Sequence, residues 1–295
     1  MLGSKNVKPI PESIAYQFNV SGDAMRSDPL TAPFMESGAI HSETILCHFK
    51  ISLREKNCAD KSLGWYAPGA QMICGSSSGS YYHVTLIVYP KSTDKTANSL
   101  EILAANSSSS SRRGSLTALT RAVSNFEPRV RKLADLVKAE DCFLWKIAHL
   151  SPLPTWISKS GRVALLGDAA HAMVPHLGMG AASAVEDGGV LAECLSRAKS
   201  KADIPTALKA YEKIRKPRAE RIQGAALVTG QYKIMPDGPE QRKRDQRMAL
   251  RMDVKNPKYE YWKAGGGLEW LYGYDFATVV KKELDKVFGG SRARL

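Results

Sequence analysis

Residues 161–195 read GRVALLGDAAHAMVPHLGMGAASAVEDGGVLAECL, and this stretch decides the fold. VALL at 163–166 is a short apolar run of the kind that forms a buried strand. Gly167-Asp168 ends it, and a small-residue turn carrying Gly178 and Gly180 follows. Then Ala181, Ala184, Val185, Gly188, Leu191, Ala192 and Leu195 recur at helical spacing. The unit reads as strand, turn and helix, which places the chain in the α/β class, in the mixed α+β sense.

Asp168 stands just past the carboxyl end of the predicted strand, where open α/β sheets bind ligands. An ionised carboxylate there offers only acceptor oxygens, which suit the hydroxyls of a sugar or ribityl chain. Gly178 and Gly180 let backbone amides approach a ligand without a Cβ in the way. The helix start adds free N–H groups and a positive dipole end. An electron-rich ring edge, such as the N1 and O2 side of a flavin, would be stabilised there, with Pro175 as a stiff wall. The plainer reading is an ordinary turn in which Asp168 caps the helix.

Outward from this unit, Ile14, Tyr16, Phe18 and Val20 alternate as in a half-buried strand. YYHVTLIVY at 81–89 is a second strand candidate, able to form a hairpin with residues near Met72. FLWKI at 143–147 reads as a short buried strand. Leu116, Leu119 and Val123 predict one helix, and Val130, Leu133, Leu136 and Val137 another, with Pro128 suited to its first turn. A longer helix opens at Pro205 and carries Leu208, Tyr211, Ile214 and Ile222, with a kink or break expected at Pro217. Phe276, Val279, Val280, Leu284 and Val287 predict a last helix. The serines at 107–111, followed by Arg112, Arg113 and Gly114, have the composition of a surface loop.

The 295 residues, 43% hydrophobic and 24% charged, exclude a disordered, collagenous or disulfide-stapled chain. No run approaches the roughly 20 apolar residues of a membrane span, and no secretory signal opens the chain. Five scattered cysteines favour a reducing, intracellular and cytoplasmic setting. No metal site is expected, because Cys47, His48 and Cys58 lack zinc-ligand spacing. The net charge is +13, and residues 201–295 hold 21 Lys plus Arg against 12 Asp plus Glu. Lys213, Arg215, Lys216, Arg218 and Arg221 read as a solvated basic face, since no nucleic-acid motif accompanies them. Glu186 and Asp187, adjacent on a helix, point in different directions and read as surface or packing charges. His171 and His176 read as neutral side chains packed behind the turn.

GRVALLGDAAH (161–171), Pro175, GMGA (178–181) and EDGGVLAECL (186–195) resemble the second flavin-binding motif of the FAD-dependent aromatic-ring monooxygenases, the group of salicylate hydroxylase and p-hydroxybenzoate hydroxylase. PLPTW (152–156), YEKIRKPRAERIQ (211–223) and WLYGYD (270–275) are similar to fungal salicylate-hydroxylase-like members. The resemblance implies that Asp168 bonds the ribityl chain of FAD, with Gly167 beside it among the cofactor-binding residues. It also implies that Pro175 lies beside the isoalloxazine, and that the amides around Gly178, Met179, Gly180 and Ala181 face its pyrimidine edge. Met179 stands where family members usually carry Gln or a similar residue. The family's chemistry takes NADH or NADPH as reductant, O2 and a small aromatic substrate, and no acid or base is named from this sequence.

The sequence lacks a GxGxxG near its start and the family's mid-chain Asp-Gly motif. It is therefore expected to correspond to the later half of the family fold. Residues 1–150 would hold the substrate-side sheet and helices, with an insertion at 41–63. Residues 151–200 would hold the second FAD-binding segment, and 201–295 a helical basic region. The expected activity is FAD-dependent aromatic hydroxylation; the alternatives are a non-catalytic remnant of that family and a basic nucleic-acid-binding protein.

Overall fold

The computed structural model describes residues 8–35, 63–76, 80–89, 111–252 and 269–288. These fall into two compact units: residues 148–230 with 8–11 and 269–288, and the described residues of 12–147 with 231–252. The proposed insertion lies outside the described residues except for Leu63, as do Cys47, His48 and Cys58.

The sheet unit is a six-stranded sheet, ordered β2-β3-β4-β1-β6-β5. Its strands are β1 (Ile10–Ser21), β2 (Leu63–Ala67), β3 (Ala70–Ser76), β4 (Tyr81–Val88), β5 (Ser111–Arg113) and β6 (Cys142–His149). The alternation expected from Ile14 to Val20 becomes a row of buried side chains across three antiparallel strands. Met72 pairs with Leu86 and Leu86 with Tyr16; Cys74 pairs with Val84 and Val84 with Phe18. All six are buried, because the period of two turns every second side chain to the same face.

Among the described residues up to 135, this unit has the helices α1 (Gly22–Arg26), α2 (Ala32–Met35), α3 (Leu116–Ala122) and α4 (Pro128–Asp135). Helices α3 and α4 add Leu119, Val130 and Leu133 to the core. Ser115 caps α3 by accepting from the Ala118 amide, and Pro128 occupies the first turn of α4. Two expectations are corrected here. Ser111–Arg113 is an edge strand paired with β6, not loop, whereas residues 107–110 lie outside the described residues. FLWKI is a strand but not a buried one: Leu144 faces the core while Phe143 and Trp145 face outward.

The second unit is mainly helical. It contains α5 (Asp168–His171), α6 (Gly180–Ser196), most of α7 (Ile204–Lys233), α9 (Glu269–Tyr272) and α10 (Phe276–Phe288); α8 (Pro239–Met252) follows α7 in the sheet unit. Trp156, Val190, Cys194, Tyr211, Val280 and Leu284 form its core. Glu212 on α7 ties down the 155–156 segment by accepting from Thr155 Oγ1 and the Trp156 amide. Helix α7 runs unbroken through Pro217, so the expected break does not occur. Arg215 and Arg218, on either side of the proline, are both held by buried ion pairs.

VALL is corrected as well. Gly161, at φ 67°, turns the chain back on itself, and a Cβ there would stand 2.8 Å from Pro205. The run then pairs locally: Leu165 N–H donates to Trp156 O (2.9 Å), Ser158 N–H donates to Val163 O (2.9 Å), and Ile157 bridges Ala164. It is a short antiparallel bridge with Val163 and Leu166 exposed, not a buried strand.

Candidate cofactor site

The site grows from Gly167. At φ 57° and ψ −142° it occupies backbone space that is essentially closed to residues with a Cβ. That conformation starts the single turn of α5, in which the Ala170 and His171 amides both donate to Gly167 O at 2.9 Å. The Asp168 side chain is exposed, and its carboxylate accepts no hydrogen bond among the described residues. The alternative role as a helix cap is not what the side chain does, since α5 has no side-chain cap.

Behind the turn lies a buried ionic network. Asp187 Oδ2 accepts from the Gly167 amide (2.8 Å) and bonds His171 Nε2 (2.6 Å); its Oδ1 accepts from Arg215 Nε (2.8 Å). Arg215 also reaches Glu186 and Ser183 O, and Arg218 forks onto Glu186 and onto the carbonyls of Trp270 and Leu271. Asp187 and Arg215 are both 0% exposed. Burial pushes the Asp187 carboxyl up, but the hydrogen bonds from His171, Arg215 and the Gly167 amide outweigh it and hold it below the usual carboxylate range. Glu186 is lowered in the same way, its burial outweighed by Arg218 and Arg215.

Of the two roles expected for Glu186 and Asp187, surface charge or packing contact, Asp187 takes the second, and the basic face of α7 is not fully solvated. Arg215 and Arg218 are buried, Arg218 lies 3.6 Å from the Tyr274 ring centroid, and Arg221 lies 3.9 Å from that of Trp270. His171 and His176 are both buried, His171 against Trp156.

The remaining expected residues form the next turn. Pro175 is exposed at the start of a 3-10 turn, and Gly178 ends that turn in the left-handed region at φ 65°. A Cβ at Gly178 or Gly180 would meet nothing within 4 Å among the described residues, so both backbones border open space there. Met179 supplies no side-chain cap to α6, so the amides of Gly180, Ala181 and Ala182 have no acceptor within the helix. Met179 itself is buried with Ile222 and Leu271, and anchors the helix start.

Both turns belong to one unit and both touch α6. Gly167 packs beside Ala184 and bonds Asp187, which stands seven residues past Gly180, about 10 Å along the helix axis at 1.5 Å per residue. The turn that carries Asp168 thus packs on the same helix whose N-terminal amides have no acceptor within it. Backbone donors, an acceptor carboxylate and unfilled space beside two glycines match the donor set a flavin requires.

Residues 139–226 match the family described as FAD binding domain. Over that segment the chain is similar to FAD-dependent monooxygenases. It is 36% identical over 155 residues to the FAD-dependent monooxygenase OpS4 of Beauveria bassiana, covering 52% of this chain and 36% of that one. It is 36% identical over 151 residues to 3-amino-4-hydroxybenzoate 2-monooxygenase PtmB3 of Streptomyces platensis, covering 50% and 34%. Among solved structures, a salicylate hydroxylase substrate complex superposes with a TM-score of 0.67 at 21% identity, over 95% of this chain and 59% of that one. CtdE in complex with FAD and a substrate gives 0.65 at 18% identity, over 97% and 59%. The mixed sheet-and-helix fold is thus salicylate-hydroxylase-like. The chain spans about a third of the length of the curated relatives it matches.

The buried network was missed by sequence reasoning. Its signal was present as Glu186-Asp187 facing Arg215 and Arg218, which are three residues apart and so share a helix face.

Proposed function

We propose that this chain binds FAD at the two turns and serves a monooxygenase that uses NADH or NADPH and O2 to hydroxylate a small aromatic compound. The observation that carries the reading is the exposed Asp168 carboxylate, unpartnered among the described residues, in a turn packed on a helix whose first amides have no acceptor within it and whose glycines border open space among those residues. Asp168 accepts hydrogen bonds from the ribityl hydroxyls, with Gly167 setting its backbone. The amides of Gly180 and Ala181, with the backbone at Gly178 and Met179, donate to the pyrimidine edge, and the helix dipole favours negative charge there. Pro175, exposed at the start of its turn, would serve as a fixed wall beside the ring. When bound, FAD supplies the redox chemistry between pyridine nucleotide, O2 and the aromatic ring. Among the described residues no cluster of His, Cys, Asp and Glu is arranged to hold a metal, and no helix is long and apolar enough to cross a membrane.

Titration of the chain with FAD, followed by flavin fluorescence and visible absorbance, tests the reading. Saturable binding is expected, and D168A should raise Kd by about tenfold or more, the worth of one or two hydrogen bonds to a charged acceptor. Absence of saturable binding by the unsubstituted chain overturns the proposal. Binding with no NADH or NADPH oxidation in the presence of phenolic acids assigns a cofactor-holding role without turnover.

A further inference from the structure

We propose that Asp187 is the positioning residue of the cofactor turn, a buried strut through which α7 sets the conformation of Gly167–His171. Its bearing on FAD rests on the cofactor reading above; its bearing on the turn does not.

A four-residue helix has no stability of its own, and this one begins at a glycine in strained backbone space. Something outside must hold it. The exit of the turn is fixed at Ala172, whose carbonyl accepts from the Leu150 amide (3.0 Å) and from Gln223 Nε2 (3.1 Å). The entry is fixed by Asp187, which takes the Gly167 amide and His171 Nε2 on one carboxylate oxygen.

The other carboxylate oxygen faces Arg215 Nε. The Gly167 amide on one oxygen and Arg215 Nε on the other are donors whatever the tautomer of His171, so only a group that accepts on both oxygens satisfies the position. An amide there turns an NH2 toward either Arg215 or the turn, and one side must let go. Glu186 shares Arg215 with Asp187 but has no hydrogen bond to the turn. This asymmetry separates positioning from general stabilisation. The exposed Asp168 carboxylate is carried by the turn that Asp187 holds, so its aim follows from a residue that never touches the ligand.

The test uses the full chain and three variants, D187N, D187E and E186Q. Amide hydrogen exchange of the peptide covering 163–174 is measured without FAD, and FAD affinity by fluorescence quenching. D187N should speed exchange in that peptide by about tenfold and raise the FAD Kd by about tenfold, one lost hydrogen bond to a charged group, while peptides of β1, β3 and β4 stay protected.

E186Q should leave exchange of 163–174 and the FAD Kd within about twofold of the unsubstituted chain, whatever it does to the melting temperature. If D187N fails to fold, D187E decides. It keeps a negative charge against Arg215 but displaces the oxygens by one methylene, so the turn should still loosen. Unchanged exchange of 163–174 in the variant that folds, or equal loosening by E186Q, overturns the proposal. If the unsubstituted chain does not bind FAD, the cofactor reading fails by itself, and the exchange measurement still decides whether Asp187 holds the turn.

Discussion

Gly167 concentrates the strain of the site in one residue. Its φ of 57° with ψ of −142° is tolerated only without a Cβ, and the nearest atom to an added Cβ would be that of Ala184 at 3.4 Å. The backbone, rather than crowding, therefore sets the cost. G167A is expected to lose about 1–3 kcal/mol, measured by denaturant unfolding of the helical unit. G178A sits in the ordinary left-handed region with nothing within 4 Å among the described residues, and should lose about 1 kcal/mol. Equal losses at the two positions would show that Gly167 is not specially constrained.

The same residue shows what the sequence makes legible. Gly-Asp after an apolar run marks a turn from residue types alone, and the roles expected for Asp168, Pro175 and Gly178 follow from such local chemistry. That Gly167 needs a carboxylate twenty residues away to hold its amide is a long-range fact. The sequence left Asp187 open between surface charge and packing contact because its three partners are a backbone amide, a histidine and an arginine from α7, and no local pattern brings these together.

At the scale of elements, α6 shows where periodicity misleads. The apolar stripe read from the sequence contained Ala181, Val185, Gly188, Ala192 and Leu195, yet all five are exposed. The buried face is Ser183, Asp187, Val190 and Cys194. A helix built of small residues on nearly every side has no single apolar face for a period of 3.6 to select, so its orientation falls to the ionic network at Asp187. Two substitutions separate the faces. V185S, at a side chain 76% exposed, should change stability by less than about 0.5 kcal/mol. V190A, at 0% exposed, should cost about 1–3 kcal/mol by thermal or denaturant unfolding. The reverse order would restore the face read from the sequence. The strands were read better, because alternation in β1 and β4 reports directly on which side faces α3 and α4. VALL failed as a strand because strandness needs a neighbour: Gly161 returned the run onto residues 156–158.

At the scale of the whole molecule, the excess positive charge is partly consumed inside. Arg215 and Arg218 are buried against Glu186 and Asp187, and each pair offsets its own desolvation only while both members stay charged. Burial raises both carboxyls, but the arginines, with His171 and the Gly167 amide at Asp187, hold them below their ordinary values. Groups whose folded pKa is depressed bind fewer protons folded than unfolded, so their stabilisation is complete above the ordinary carboxylate value and is lost as pH falls through the folded one. The helical unit should therefore hold its stability from neutral pH down to about 4 and lose it steeply below. Because Asp187 and Arg215 are shut away from solvent, added salt should shift that acid transition little. Denaturation followed by hydrogen exchange in α6 and α7 across pH 2.5–7, roughly the carboxylate range and above, measures it. D187N should flatten the acid limb while lowering stability at pH 7; an acid limb of unchanged steepness would place the responsible carboxylates elsewhere in the chain.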